Sequence, residues 1–188
     1  MSKNDSLKNA EAIGLTLKNI KTFEGHDTMQ GFNADVYVNG KKVFHAFDSA
    51  HGGCFEFTPA DSKTKYNEVH GIVDELEDKL KKRPKYEIKW SKDKTSMFQD
   101  NLECVIGALV SDFLFQKDLK RDQKKGLLLE VNNGYSIIKY KAGTIANMLK
   151  KYGEAQVVPI VQKTYDQEVA KGEKILNVDY LKSIGVKV

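Results

Sequence analysis

The chain has 188 residues, with 30 Lys and Arg against 26 Asp and Glu and a formal charge of +4. Hydrophobic residues make up 40% and charged residues 30%, a globular balance that excludes a disordered tail, a collagen-like chain and a membrane protein. One α+β domain over 1–188 is expected, and a chain of this length buries roughly 70% of its unfolded surface without a disulfide or metal staple.

Residues 1–13 read as a flexible arm: MSKNDSLKNAEA is polar and has no hydrophobic signal core. GLTLKNIKTF, Gly14 to Phe23, reads as a strand with Leu15, Leu17 and Ile20 as its apolar positions and a bulge that lets Phe23 rejoin them. After the loop EGHDTMQG comes FNADVYV-NG-KKVFHAF, whose Asn39-Gly40 pair between alternating runs is the strongest short hairpin signal. An uninterrupted two-residue turn pairs Val36 with Val43, Ala34 with His45 and Phe32 with Phe47. The expected core face is Phe32, Ala34, Val36 and Val38 with Val43 and Phe47. CFEFT then gives a short further strand.

The period changes to 3.6 over about 62–82, where Tyr66, Val69, Ile72, Val73, Leu76 and Leu80 form one stripe and Asp61 or Ser62 offers an N-cap. Pro84 stops that helix, and KYEIKW from Lys85 to Trp90 alternates as a strand. A second long helix is expected over about 96–122, apolar almost all round at its centre. LLLEV-NNG-YSIIKY is a second hairpin within 127–140; an Asn133-Gly134 turn pairs Leu129 with Ile138. The C-terminal end is helical: Thr144 to Tyr152 closed by Gly153, a segment around Val157 to Lys171, and a last helix capped by Asn177. The predicted fold is therefore an antiparallel sheet carrying both hairpins, packed on two long helices.

Two stretches offer candidate site residues. The loop DSAHGGC puts His51, Gly52, Gly53 and Cys54 together, where paired glycines let a backbone approach a ligand. His51 and Cys54 could also be a base and its nucleophile, set against a plain strand connection with Cys54 as a small hydrophobe. The second stretch is basic: Lys81, Lys82, Arg83, Lys85 and Lys89 are interleaved with Tyr86 and Trp90, a composition that suits nucleic acid but is better explained by a lysine-rich helix end and a protected edge strand. It follows an acidic run, so the charge is patchy. His45 is expected on the apolar face, and His26 and His70 have no partner spacing, so no metal site and no cofactor are expected. Cys54 and Cys104 could form one bridge, with reduced thiols preferred. Phosphate-loop, dinucleotide and nucleophile-elbow motifs do not occur.

LTLKNIKTFEGHDTMQGFNADVYVNGKKV followed by AHGGC resembles a group of uncharacterised small proteins of bacteriophages and mobile elements. Leu17, Lys18, Asn19, Phe23, Gly25, Gly31, Phe32, Ala34, Tyr37, Gly40, Lys41, Lys42, Val43, Gly52 and Gly53 carry the match, over the first third of the chain. The resemblance implies a phage or mobile-element origin and brings no activity and no functional residues. The expected function is a non-enzymatic accessory protein in the host cytoplasm, binding a host protein or a small ligand. A nucleic-acid module on 79–94 and a small enzyme on His51 and Cys54 are the alternatives.

Overall fold

The computed structural model describes residues 5–25, 30–91, 94–132 and 134–188. His26, Lys92, Asp93 and Asn133 lie outside the described residues, as does the side chain of Trp90. The chain divides into two compact units, one ending at Asp112 and one beginning at Phe113, where the sequence suggests a single domain. Both mix helices with antiparallel strands, so the α+β class holds.

The first unit opens with a helix, α1 (Asp5–Ala12), in place of the expected arm. Ser6, Asn9 and Ala10 recur at helical spacing and are buried, and two of them bond to Asp100. Ser6 Oγ donates to Asp100 Oδ1 at 2.9 Å, and Asn9 Nδ2 donates to Oδ2 at 2.6 Å. A polar sequence therefore makes a fixed helix because its polar face meets a buried carboxylate.

Strands β1 (Leu15–Glu24), β2 (Gln30–Val38), β3 (Lys41–Asp48) and β4 (Glu56–Pro59) form an antiparallel sheet in chain order. Asn39 and Gly40 make the β2–β3 turn with φ of 49° and 81°, the positive values a type I′ turn needs. Helix α2 (Tyr66–Lys81) packs on β3 and β4, with Val69, Leu76 and Leu80 buried. Asp61 does not cap it directly. Its Oδ1 accepts from the amides of Lys63 and Thr64, closing a turn just ahead of the helix.

The hairpin register departs from the expected one at a single residue. Val38 pairs with Lys41 and Tyr37 with Lys42, but Val36 pairs with Phe44, leaving Val43 as an extra residue. This bulge turns β3 over. Phe44 and Ala46 enter the core beside Phe32, Ala34 and Val36, all at most 3% exposed. His45 stands opposite Asp35 and Phe47 opposite Asn33 on the other face. The physical reason is that the uninterrupted register would bury an imidazole beside Ala34 without a partner, whereas the bulge buries Phe44 instead. A bulge also interrupts β1 between Lys18 and Lys21, with Asn19 at φ 53°, but it turns Phe23 onto the face opposite Leu15 and Leu17, across from Gly31, so Phe23 does not rejoin the apolar positions as expected.

Strands β5 (Tyr86–Ser91) and β6 (Lys94–Phe98) form a separate two-stranded ribbon. Residues 96–98 are thus strand, and helix α3 (Leu102–Asp122) starts later than its apolar pattern suggests. Its start is set by Asn101, whose Oδ1 accepts from the Cys104 amide, and by Glu77, whose Oε1 accepts from the Leu102 amide.

In the second unit β7 (Leu127–Val131) and β8 (Gly134–Ile138) pair with each other, not with the first sheet. Leu127 faces Ile138 and Leu129 faces Ser136, two residues from the expected register. This seats the Ile138 carbonyl directly on Gly126, where any Cβ would collide. Helices α4 (Ile145–Tyr152), α5 (Glu154–Ala170) and α6 (Val178–Ser183) follow as expected. Thr144 caps α4 by accepting from the Asn147 amide. Asn177 makes no cap bond to α6. It is buried, accepts from the Leu128 amide at 3.1 Å and donates to the carbonyls of Gln123 and Gly126. Leu127, Ile145, Met148, Val157, Val161 and Leu181 form the core. Among the described residues no helix is long and apolar enough to cross a membrane.

Candidate functional site

The two bulges of the first sheet converge on one carboxylate. Asp35 lies mid-strand on the face away from the core and is only 8% exposed. The β1 bulge brings Asn19, whose Nδ2 donates to Asp35 Oδ2 at 2.7 Å. The β3 bulge brings His45, whose Nδ1 lies 2.6 Å from Asp35 Oδ1, and Lys42 Nζ reaches the same oxygen at 3.0 Å. Burial disfavours the Asp35 anion, but the Asn19 bond, Lys42 and His45 outweigh it and hold its pKa below the usual value. The carboxylate is thus charged and fully engaged.

Around it opens a groove of about 680 Å³, lined by Asn19, Lys21, Asn33, Lys42, His45 and Phe47 among others. That volume is in the range of small-ligand sites. Aromatic rings flank it. Phe47 stacks on Phe23 with centroids 5.9 Å apart, and Phe23 lies across Gly31, where a Cβ would strike the ring. On the other side Lys18 Nζ sits 4.4 Å from the Tyr37 ring centroid. The face can therefore offer cations, amides, an oriented imidazole and partly exposed rings.

His51, Gly52, Gly53 and Cys54 are all exposed on the β3–β4 connection. The loop is shaped by Asp48, whose Oδ1 accepts from the Ala50 amide at 2.8 Å and supports Ala50 at φ 60°. Gly52 supplies a second positive φ of 79°, and the Phe55 amide is tied to Glu103. These bonds account for the glycine pair as a turn. Cys54 and Cys104 are free thiols.

The basic stretch is split between roles. Lys81 pairs with Asp78, and Lys82, Lys85 and Lys89 are exposed. Arg83 Nε donates to Asn9 Oδ1 at 3.0 Å. Tyr86 donates from its hydroxyl to Asp100 at 2.9 Å and packs edge-on to Phe98. Two of the seven named residues are therefore committed to holding α1 and β5. Among the described residues no group of His, Cys, Asp and Glu could hold a metal ion.

Sequence reading missed Asp35, Asn19 and His45 because extending the Asn-Gly register past Val43 puts His45 on the core side. The available signal was the choice between burying His45 and burying Phe44 in FHAF.

The chain matches no protein-family model, no curated protein and no solved structure.

Proposed function

We propose that the protein is a non-catalytic binding protein, of the accessory kind that phages and mobile elements direct at a host, and that its site is the sheet groove over Asp35. The observation that carries this reading is the construction of the groove floor. Two backbone bulges, which interrupt regular pairing, place donors on one nearly buried carboxylate. Such irregularities recur next to functional sites. The origin rests on the N-terminal pattern, whose Lys18, Asn19, Phe23, Gly31, Tyr37 and Lys42 all lie on or under this face.

Binding is favoured over catalysis because Asp35 and His45 serve as structure. An Asp-oriented imidazole is a common proton-transfer device, but here Lys42 shares the same carboxylate oxygen and offsets its charge. The His51–Cys54 loop has bonds that explain its shape without chemistry.

The test is to purify the wild-type chain and an Asn33→Trp variant from the same host and compare retained compounds and macromolecules by mass spectrometry. Asn33 is an exposed groove residue, so the indole fills the groove with little effect on folding. A species retained by the wild type and lost in the variant supports the reading. Identical retention in both overturns it.

A further inference from the structure

The open face of the four-stranded sheet carries its charges and rings in rows. Thr16, Tyr37 and Lys42 align across β1, β2 and β3, then Lys18, Asp35, His45 and Thr58, then Lys21, Asn33, Phe47 and Glu56, and finally Phe23 over Gly31. Successive rows lie two residues apart along β2, about 6.8 Å, and the bulges make the step three residues from Lys18 to Lys21 on β1 and from Lys42 to His45 on β3. Each of the first three rows contributes one lysine. Lys42 is offset by Asp35, Lys18 and Lys21 are exposed, and Glu56 is the other carboxylate in these rows. Tyr37 lies at one end, and the stacked Phe23–Phe47 pair at the other.

From this arrangement we infer that the sheet face binds single-stranded nucleic acid, with Lys18, Lys21 and Lys42 along the phosphates and Tyr37, Phe47 and Phe23 against bases. The inference rests on the groove reading above and names its ligand. Three features favour a single strand over other anions. The lysines are spaced in steps along the strands rather than gathered on one point, so they suit a ligand with repeating charge. Rings stand at both ends of the lysine rows, and a base offers a π-face where an acidic peptide offers none. The face is a broad shallow sheet surface, to which an unstacked strand can conform, whereas a duplex hides its bases from such a surface.

The site differs from the basic segment 79–94. That segment has exposed lysines, but the ring of Tyr86 packs on Phe98 and its hydroxyl is bonded to Asp100.

The test is fluorescence anisotropy of the full-length chain with labelled oligo-dT and oligo-U, a mixed-sequence duplex and polyglutamate, over a salt series. Four proteins are compared: wild type, Lys18→Ala/Lys21→Ala, Tyr37→Leu, and Lys85→Ala/Lys89→Ala as the control on the ribbon. The expected result is preference for single strands and roughly tenfold weaker binding in the Lys18/Lys21 variant. Its log–log salt slope should be about 1.4 shallower, for two lost phosphate contacts. Tyr37→Leu should weaken binding without changing the slope, and the ribbon variant should behave as wild type. Loss that follows Lys85 and Lys89 instead, or polyglutamate bound as tightly as the oligonucleotides, overturns the assignment. If no oligonucleotide binds at low salt while Asn33→Trp still abolishes retention of another species, the nucleic-acid assignment falls and the groove reading stands.

Discussion

His45 Nδ1 lies 2.6 Å from Asp35 Oδ1 across the β2–β3 ladder, and the extra residue Val43 is what brings them face to face. The pair is half shielded: the Asp35 side chain is 11% exposed and that of His45 35%. A double-mutant cycle with Asp35→Asn and His45→Gln should give a coupling of about 1 kcal/mol, small because solvent screens the imidazole. Urea denaturation of the four proteins measures it. Strict additivity would mean that the contact adds nothing to stability.

Asp100 ties together three distant donors, Ser6 and Asn9 of α1 and Tyr86 of β5. Asp100→Ala leaves all three facing a buried void and should destabilise the first unit by about 3 kcal/mol. It should also free α1, so limited proteolysis should cut within 5–12 in the variant and not in the wild type.

The Tyr86 phenol is pushed up to about 12, first by burial and then by its bond to Asp100, against the opposing effect of Ser6. A raised native pKa means that the proton is held more tightly in the folded state. Its contribution is complete below the ordinary phenol value of about 10 and is lost as pH climbs through about 12. Tyr86→Phe should therefore lower Tm at neutral pH, yet show a flatter decline of Tm across the alkaline range. Parallel Tm–pH curves for variant and wild type would refute this.

Asp122 behaves in the opposite sense. The bond from Arg121 and that from Lys125 hold its pKa well below the usual carboxylate range despite burial, helped by the Tyr135 hydroxyl at 2.9 Å. With a depressed native pKa, the stabilisation is complete above the ordinary value of about 3.9 and disappears as pH falls toward the native one. Asp122→Asn should be less stable than wild type at pH 7, with the gap closing in acid. Chemical denaturation from neutral pH downward reads this directly.

Asn177 uses both ends of its amide, accepting from Leu128 N and donating to two carbonyls. Asn177→Asp keeps the acceptor but turns a carboxylate oxygen toward those carbonyls. It should destabilise the second unit at least as much as Asn177→Ala, about 3 kcal/mol. A near-neutral Asn177→Asp would show that the donor bonds carry no weight.

The elements legible in the sequence are those whose signal is local. Asn39-Gly40 announces its own turn, the 3.6-residue stripe through Val69, Leu76 and Leu80 announces α2, and Gly153 announces the end of α4. What stayed hidden depends on partners far along the chain. The helix at 5–12 forms against Asp100, β6 exists because β5 is there to pair with it, and the role of Asn177 is fixed by β7. The groove was missed for a subtler reason. One unpaired residue at Val43 reverses every side chain after it, and alternation alone does not count that residue.

Residues 174–177 run beside β7. Glu130 N donates to Lys174 O, Leu176 N to Leu128 O, and Asn177 closes the row. These partners are made 49 residues after Leu128 in the case of Asn177. During synthesis the backbone groups of β7 that face away from β8 thus wait for residues 174–177 before they are satisfied. The four-stranded sheet of the first unit pairs in chain order between Leu15 and Pro59, with no such wait. The sheet strands and the residues lining the groove all precede Asp112, so every side chain that builds the groove is already in the chain before any of these β7 partners is made.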